Sequence, residues 1–180
     1  ERATVDDVPP PGVRLRVVDD RTRLGSAFAA GVLPGAEYVF LTESLFDTLD
    51  DREVRAVVAH EVGHHEREHV LVRYLLVAVA AGAALGVASV APDAALVAIL
   101  AGTPPFAVAL AWVVRRTEAQ ADAYAAAVVG GPALAGALET LADRRYIAEG
   151  GGPARILSHH PPLGERIDRL RERAPGSRTG

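Results

Sequence analysis

Between Tyr74 and Val114 the chain carries a single charged residue, Asp93. Tyr74 to Ala91 is about 18 uncharged residues and Ala94 to Val114 about 21, against the ~20 that a bilayer-spanning helix needs. Only Pro92-Asp93 lies between them, so the pattern predicts a transmembrane hairpin with a very tight turn. Arg73 flanks one end, Arg115-Arg116 the other, and the turn has no positive charge. By the positive-inside rule both Arg-bearing ends face the cytoplasm. The competing reading is a buried helical hairpin. Ala and Gly keep the hydrophobicity per residue modest, and Gly102-Thr103-Pro104-Pro105 would break the second helix near its middle. Length favours the membrane, because so long a charge-free stretch fits poorly in a domain of 180 residues. The small residues also suit close helix packing in lipid. The pattern does not fix whether both helices cross fully.

Just ahead of the hairpin stands His60-Glu61-Val62-Gly63-His64, an HExxH motif. On a helix this is the signature of a zinc-dependent protease. Residues four apart share a helix face, so His60 and His64 can bind one ion. Glu61, beside the first ligand, can take a proton from water. The other reading is a solvated helix face. The six His fall in two clusters, 60–69 and 159–160, which favours a site. With no Cys there is no disulfide framework, no thiolate ligand and no cysteine nucleophile, so His and carboxylates must hold any metal. A net charge of -4 without a basic stripe argues against nucleic acid. All 19 basic residues are Arg, which reads as genome bias. The first residues, Glu1 to Val18, are charged and proline-rich and resemble no signal peptide, so any anchor upstream would lie outside this sequence.

Val13 to Asp19 alternates apolar and polar residues and predicts a strand. Ala27 to Ala30 predicts a second, and Glu37 to Thr42 a third, after a Pro34-Gly35 turn signal. Together they suggest a small antiparallel sheet. Ser44 to Leu49 reads as a short helix. Asp50 with Glu53 reads as a capping box, starting a helix that runs through the His cluster to about Val70 and straight into the first apolar span. After the hairpin, Arg116 to Val129 is helical and Gly130-Gly131-Pro132 stops it. Ala133 to Ala148 is a further amphipathic helix, Glu149 to Pro153 a Gly-rich loop, and Leu163 to Arg173 a charged terminal helix. The tail, 175–180, reads as disordered.

A metallopeptidase centre needs a third protein ligand and an open position. Glu118 is the best candidate, because an out-and-back hairpin returns it to the side of His60 and His64. Asp122, one turn on, could accept the free N–H of a ligand His and fix its tautomer. The alternative is a solvated pair, but acidic groups four apart repel mildly and a shared cation would explain them. His65 and His69 leave the ligand face and read as structural. In Ser158-His159-His160-Pro161-Pro162-Leu163-Gly164-Glu165-Arg166 the two His could be loop residues, and Arg166 could equally cap or salt-bridge the last helix.

Taken together these residues resemble the HtpX-type and CAAX prenyl protease type 1 family of integral-membrane zinc metallopeptidases. HEVGHH, the hairpin, the Glu118-to-Asp122 helix and the late His-Pro-Pro…Arg segment follow the family's order from Val13 to about Leu170. The resemblance implies one Zn2+ on His60, His64 and Glu118, Glu61 as general base, Asp122 supporting a ligand His, and His160 with Arg166 holding the oxyanion. His159 matches no family role. Where members usually carry an Asn-Ala-Phe-like stretch, this chain reads Gly25-Ser26-Ala27-Phe28-Ala29, with Ser26 in the Asn place. The family's N-terminal membrane helices are absent from this sequence, so the shorter HtpX-like type is the nearer match.

The expected architecture is therefore an α+β, mainly helical, zincin-like domain over 1–180, with a small N-terminal sheet and a transmembrane hairpin, 71–114, inserted between the HExxH helix and the third-ligand helix. The expected function is hydrolysis of peptide bonds in membrane protein quality control, from an integral membrane position with the site facing the cytoplasm. Its partners would be a polypeptide substrate and the lipid bilayer. The rival readings are a catalytically silent, membrane-anchored scaffold that keeps the zinc fold, and a helical membrane module with an incidental His cluster.

Overall fold

The computed structural model describes residues 5, 8–10, 12–19, 26–33, 35–144 and 163–172. The strands are β1 (Val13–Val18), β2 (Ala27–Ala30) and β3 (Glu37–Thr42). The helices are α1 (Glu43–Thr48), α2 (Asp51–Glu66), α3 (His69–Val90), α4 (Pro92–Val128), α5 (Gly131–Asp143) and α6 (Leu163–Glu172). The architecture is mainly helical with one small sheet, as the sequence pattern predicts.

The sheet departs from its expected pairing. Its order is β1-β3-β2, with β3 parallel to β1 (Val13 opposite Glu37) and antiparallel to β2 (Ala27 opposite Leu41). Alternation reports which face of a strand is buried and says nothing of the neighbour's direction, so the sequence could not reveal a mixed sheet. β2 and β3 are joined by a turn in which Gly31 has φ +98°, and a Cβ there would stand 1.9 Å from the Ala36 carbonyl oxygen. Among the described residues, β2 has no strand on its other edge. Thr42 N–H donates to the Ser26 carbonyl (3.0 Å), so the ladder bonds fall at Ser26, Phe28 and Ala30. The backbone groups of Ala27 and Ala29 then face outward, away from β3.

The capping box forms as expected: Asp50 accepts from Glu53 N–H (2.8 Å) and Glu53 accepts from Asp50 N–H (3.1 Å). Val54, Val58 and Val62 are buried against Val39, Leu41 and Leu45. His65, also buried, has Nε2 3.0 Å from the Tyr38 carbonyl and ties α2 to β3.

Two expectations about the helices are corrected. The HExxH helix does not run into the first span: it ends at Glu66, Glu68 takes the left-handed region at φ 54°, and α3 starts afresh at His69. Nor do Pro104 and Pro105 break the second apolar helix, since α4 is continuous from Pro92 to Val128. Adjacent prolines remove two amide donors without forcing the chain out of helix, and helices in apolar surroundings tolerate this where side-chain hydroxyls engage the backbone. The carbonyls freed here are those of Leu100 and Ala101; Thr103 Oγ1 donates to the neighbouring Ile99 carbonyl, at 2.8 Å.

α3 and α4 are long and apolar enough to cross a membrane, with best-window mean hydropathies of 2.1 and 2.0. None of that window in α3 and 11% of it in α4 is buried inside the protein, so Leu85, Val90, Leu96 and Leu100 lie open. A core hairpin would cover such residues; these have the exposure of lipid-facing helices.

Candidate metal centre

α2 and α4 pack closely enough to share one site because Gly63 lacks a side chain. A Cβ there would stand 3.0 Å from Tyr124 Cβ and 3.2 Å from Ala121 Cα. At this contact α2 presents His60 and His64 to Glu118 and Asp122 of α4. All four are buried.

Two imidazole nitrogens and the two oxygens of one carboxylate converge here, and one donor atom from each residue lies within 4.8 Å of the others. His60 Nε2 and His64 Nε2 are 3.3 Å apart. Glu118 Oε2 lies 3.5 Å from His60 Nε2, and Glu118 Oε1 lies 3.4 Å from His64 Nε2. Tetrahedral ligands about 2.0–2.1 Å from one ion stand about 3.3–3.4 Å from each other. The donor set therefore fits a small divalent cation, and among the described residues it is the group able to hold one.

Behind these donors the supporting groups are ionic. Asp122 Oδ1 lies 3.0 Å from His60 Nδ1. Arg166 of α6 donates to the same carboxylate through Nε (3.0 Å) and Nη2 (2.7 Å), and its Nη1 is 3.7 Å from Glu118 Oε2. Asp122 thus stands against His60, while Arg166 reaches the site instead of capping its own helix. His159 and His160 lie outside the described residues, as does the tail 175–180.

The electrostatics separate the two imidazoles. Burial works to depress His60, but the Asp122 and Glu118 carboxylates and the charge of Glu61 outweigh it and push it up to about 9. His64 is pushed down to about 3, first by burial and then by repulsion from His60. Glu61 is raised by burial, against the pull of His60 and a hydrogen bond accepted from Ala29 N–H. That bond sets Glu61 against the outer edge of β2. Arg166 is raised despite burial, because Asp122 and Glu118 favour its charge.

Sequence reasoning passed over three residues here. Arg73, read as a membrane flank, donates through Nη2 to Glu118 Oε1 (3.0 Å) and Thr117 Oγ1 (2.8 Å). His69, read as structural, has Nδ1 3.0 Å from His64 Nδ1 and Nε2 2.8 Å from Gln120 Oε1. Gln120 had no role assigned. The one available signal was composition, since a His at the mouth of an apolar helix is unusual.

A helix pair holding two His and a Glu, with a second acid beside the first His and a strand edge alongside, defines the zincin-like metallopeptidase class. The family model for peptidase family M48 matches residues 2–174, and the chain belongs to that family. Membership implies a metal cofactor, for which His60, His64 and Glu118 are the candidate ligands. The chain is 32% identical to a protease HtpX homolog of Burkholderia multivorans, across 100% of this chain and 73% of that protein. It is 31% identical to a protease HtpX homolog of Desulforapulum autotrophicum, across 86% of this chain and 61% of that protein. It thus spans 61% to 73% of the length of these two relatives. The crystal structure of S. mikatae Ste24p matches with a TM-score of 0.73 at 20% identity, covering 87% of this chain and 44% of that one. At that identity the likeness concerns the fold.

Proposed function

We propose that the chain is a membrane-bound zinc endopeptidase that hydrolyses peptide bonds in membrane or misfolded polypeptides, in the manner of HtpX-like quality control. The observation that carries this reading is the donor triangle of His60, His64 and Glu118 with Glu61 beside it. Two imidazoles and a carboxylate suit zinc among divalent ions. When bound, zinc supplies Lewis acidity to the scissile carbonyl and lowers the pKa of water.

The chain's own residues do the rest. Glu61, its pKa raised by burial, takes the water proton and returns it to the leaving amine. An extended substrate adds as a strand to the outer edge of β2, where the backbone groups of Ala27 and the carbonyl of Ala29 are on offer, the Ala29 N–H being held by Glu61. Asp122 and its Arg166 partner hold His60 in place. Arg166 and His160 would steady the developing oxyanion, a role carried over from the family resemblance. The domain runs over 1–180 with the hairpin, 71–114, inserted in it. With the Arg-bearing ends of α3 and α4 inside, the site opens to the cytoplasmic face of the cell membrane.

Metal content and casein cleavage, measured on detergent-purified chain beside Glu61→Gln, test this reading. About one zinc per chain in both, with cleavage by the parent alone, supports it. Zinc in both with cleavage by neither supports the silent scaffold. No zinc in either, after metal-replete preparation, removes the metal centre itself.

A further inference from the structure

Two imidazole nitrogens face each other 3.0 Å apart, His64 Nδ1 and His69 Nδ1, and one proton must lie between them. Which ring supplies it is settled at the far side of His69. There Nε2 stands 2.8 Å from Gln120 Oε1, a carbonyl oxygen that can only accept. His69 Nε2 therefore carries its proton and donates it to Gln120. A neutral His69 then has a bare Nδ1, which accepts from His64 Nδ1–H. A neutral His64 protonated on Nδ1 has a bare Nε2, the atom that stands 3.3 Å from His60 Nε2 and 3.4 Å from Glu118 Oε1. The opposite setting would put a proton on His64 Nε2, inside the donor triangle.

Resting on the metal-centre reading above, we infer that Gln120 and His69 are positioning residues that lock His64 in its metal-binding tautomer. The two ligand imidazoles are then fixed by different means. His60 is backed by the Asp122 carboxylate, itself held by Arg166. His64 is backed by a neutral chain of two hydrogen bonds that starts on α4, passes through the first residue of α3 and ends on α2. The break at Glu68 is what permits this. Nine residues along an unbroken helix would carry His69 a full 180° from His60 and well off the ligand face, whereas restarting the chain at His69 turns its ring, 2% exposed, onto His64. Neutral backing also leaves the centre's negative charge on Glu118 and Asp122.

The test begins with the metal-free chain carrying 15N-labelled histidines. Nitrogen NMR reads each ring's tautomer directly and needs neither metal nor activity. His64 is expected to show a protonated Nδ1 and a bare Nε2. A proton on Nε2 overturns the inference, whatever becomes of the protease reading. The second arm measures Zn2+ affinity by chelator competition. Gln120→Leu and His69→Leu should each weaken binding about 10–100-fold, the range typical of groups that orient a metal ligand. His69→Gln, which keeps an acceptor within reach of His64, should recover part of that loss, as no purely structural role would require. Unchanged affinity in Gln120→Leu, or equal affinities in His69→Leu and His69→Gln, also overturns it. A parent chain that binds no Zn2+ sinks the protease reading and leaves the tautomer measurement standing.

Discussion

Gly63 and Ala121 meet across the α2–α4 contact with little room for a methyl group: a Cβ on Gly63 would stand 3.2 Å from Ala121 Cα, so the neighbour would have to give by a few tenths of an ångström. Gly63 precedes the candidate ligand His64, and Ala121 lies between Glu118 and Asp122. The spacing of these two backbones therefore sets the size of the donor triangle. Gly63→Ala should cost about 1–3 kcal/mol by overpacking and loosen metal binding, and Gly63→Val should do more of both. Gly82, with nothing within 4 Å of its Cβ position, is the control, and Gly82→Ala should leave metal affinity unchanged. Zn2+ titration of the three variants checks this; equal affinity in Gly63→Val and the parent would rule it out.

Asp122 and Arg166 form a buried two-bond ion pair, 4% and 5% exposed. Asp122→Ala strands the guanidinium and should destabilise by about 3–5 kcal/mol. Replacing both residues with Leu should be milder, because no buried charge is left alone. Metal affinity should fall in both cases, since each loses the carboxylate behind His60. Thermal melts with parallel Zn2+ titrations separate the two effects. A double variant less stable than Asp122→Ala would contradict the account.

What could be read from the sequence follows from what periodicity encodes. A helix repeats every 3.6 residues, so His60 and His64, and Glu118 and Asp122, fall on shared faces without knowledge of the fold. An out-and-back hairpin then brings the two faces together. His69 and Arg73 escaped because their positions depend on one left-handed residue, Glu68, that resets the helix axis; no wheel drawn through Arg67 and Glu68 predicts where α3 points. The direction of β1 relative to β3 escaped for a related reason: alternation marks a buried face and does not record which way the neighbour runs.

Arg73 joins the membrane hairpin to the metal centre. Its Nη2 donates to Glu118 Oε1 at 3.0 Å, and the Glu118 side chain is 2% exposed. Without an ion, this guanidinium provides part of the positive charge that a buried carboxylate needs; with one, the metal does so. Arg73→Met should therefore lower the melting temperature more in the metal-free chain than in the Zn2+-loaded chain. Scanning calorimetry under both conditions gives the two shifts, and equal shifts would exclude this role.

Ala29 offers the last prediction, because it bears on binding without bearing on the core. The alternation set by Ser26 and Thr42 turns its N–H away from β3, and that N–H meets Glu61. Proline at an edge, where the lost donor lies outside the ladder, is tolerated by a sheet. Ala29→Pro should leave metal content close to that of the parent, with a modest fall in melting temperature from the lost bond to Glu61. It should cut peptide cleavage by about tenfold or more, because a hydrogen bond to a charged group is worth about 1.5–3 kcal/mol. Phe28→Pro removes a donor inside the ladder and should lower the melting temperature further, because it breaks the pairing of β2 with β3. If Ala29→Pro cleaves at the parent rate, neither the orientation of Glu61 nor substrate binding depends on this edge.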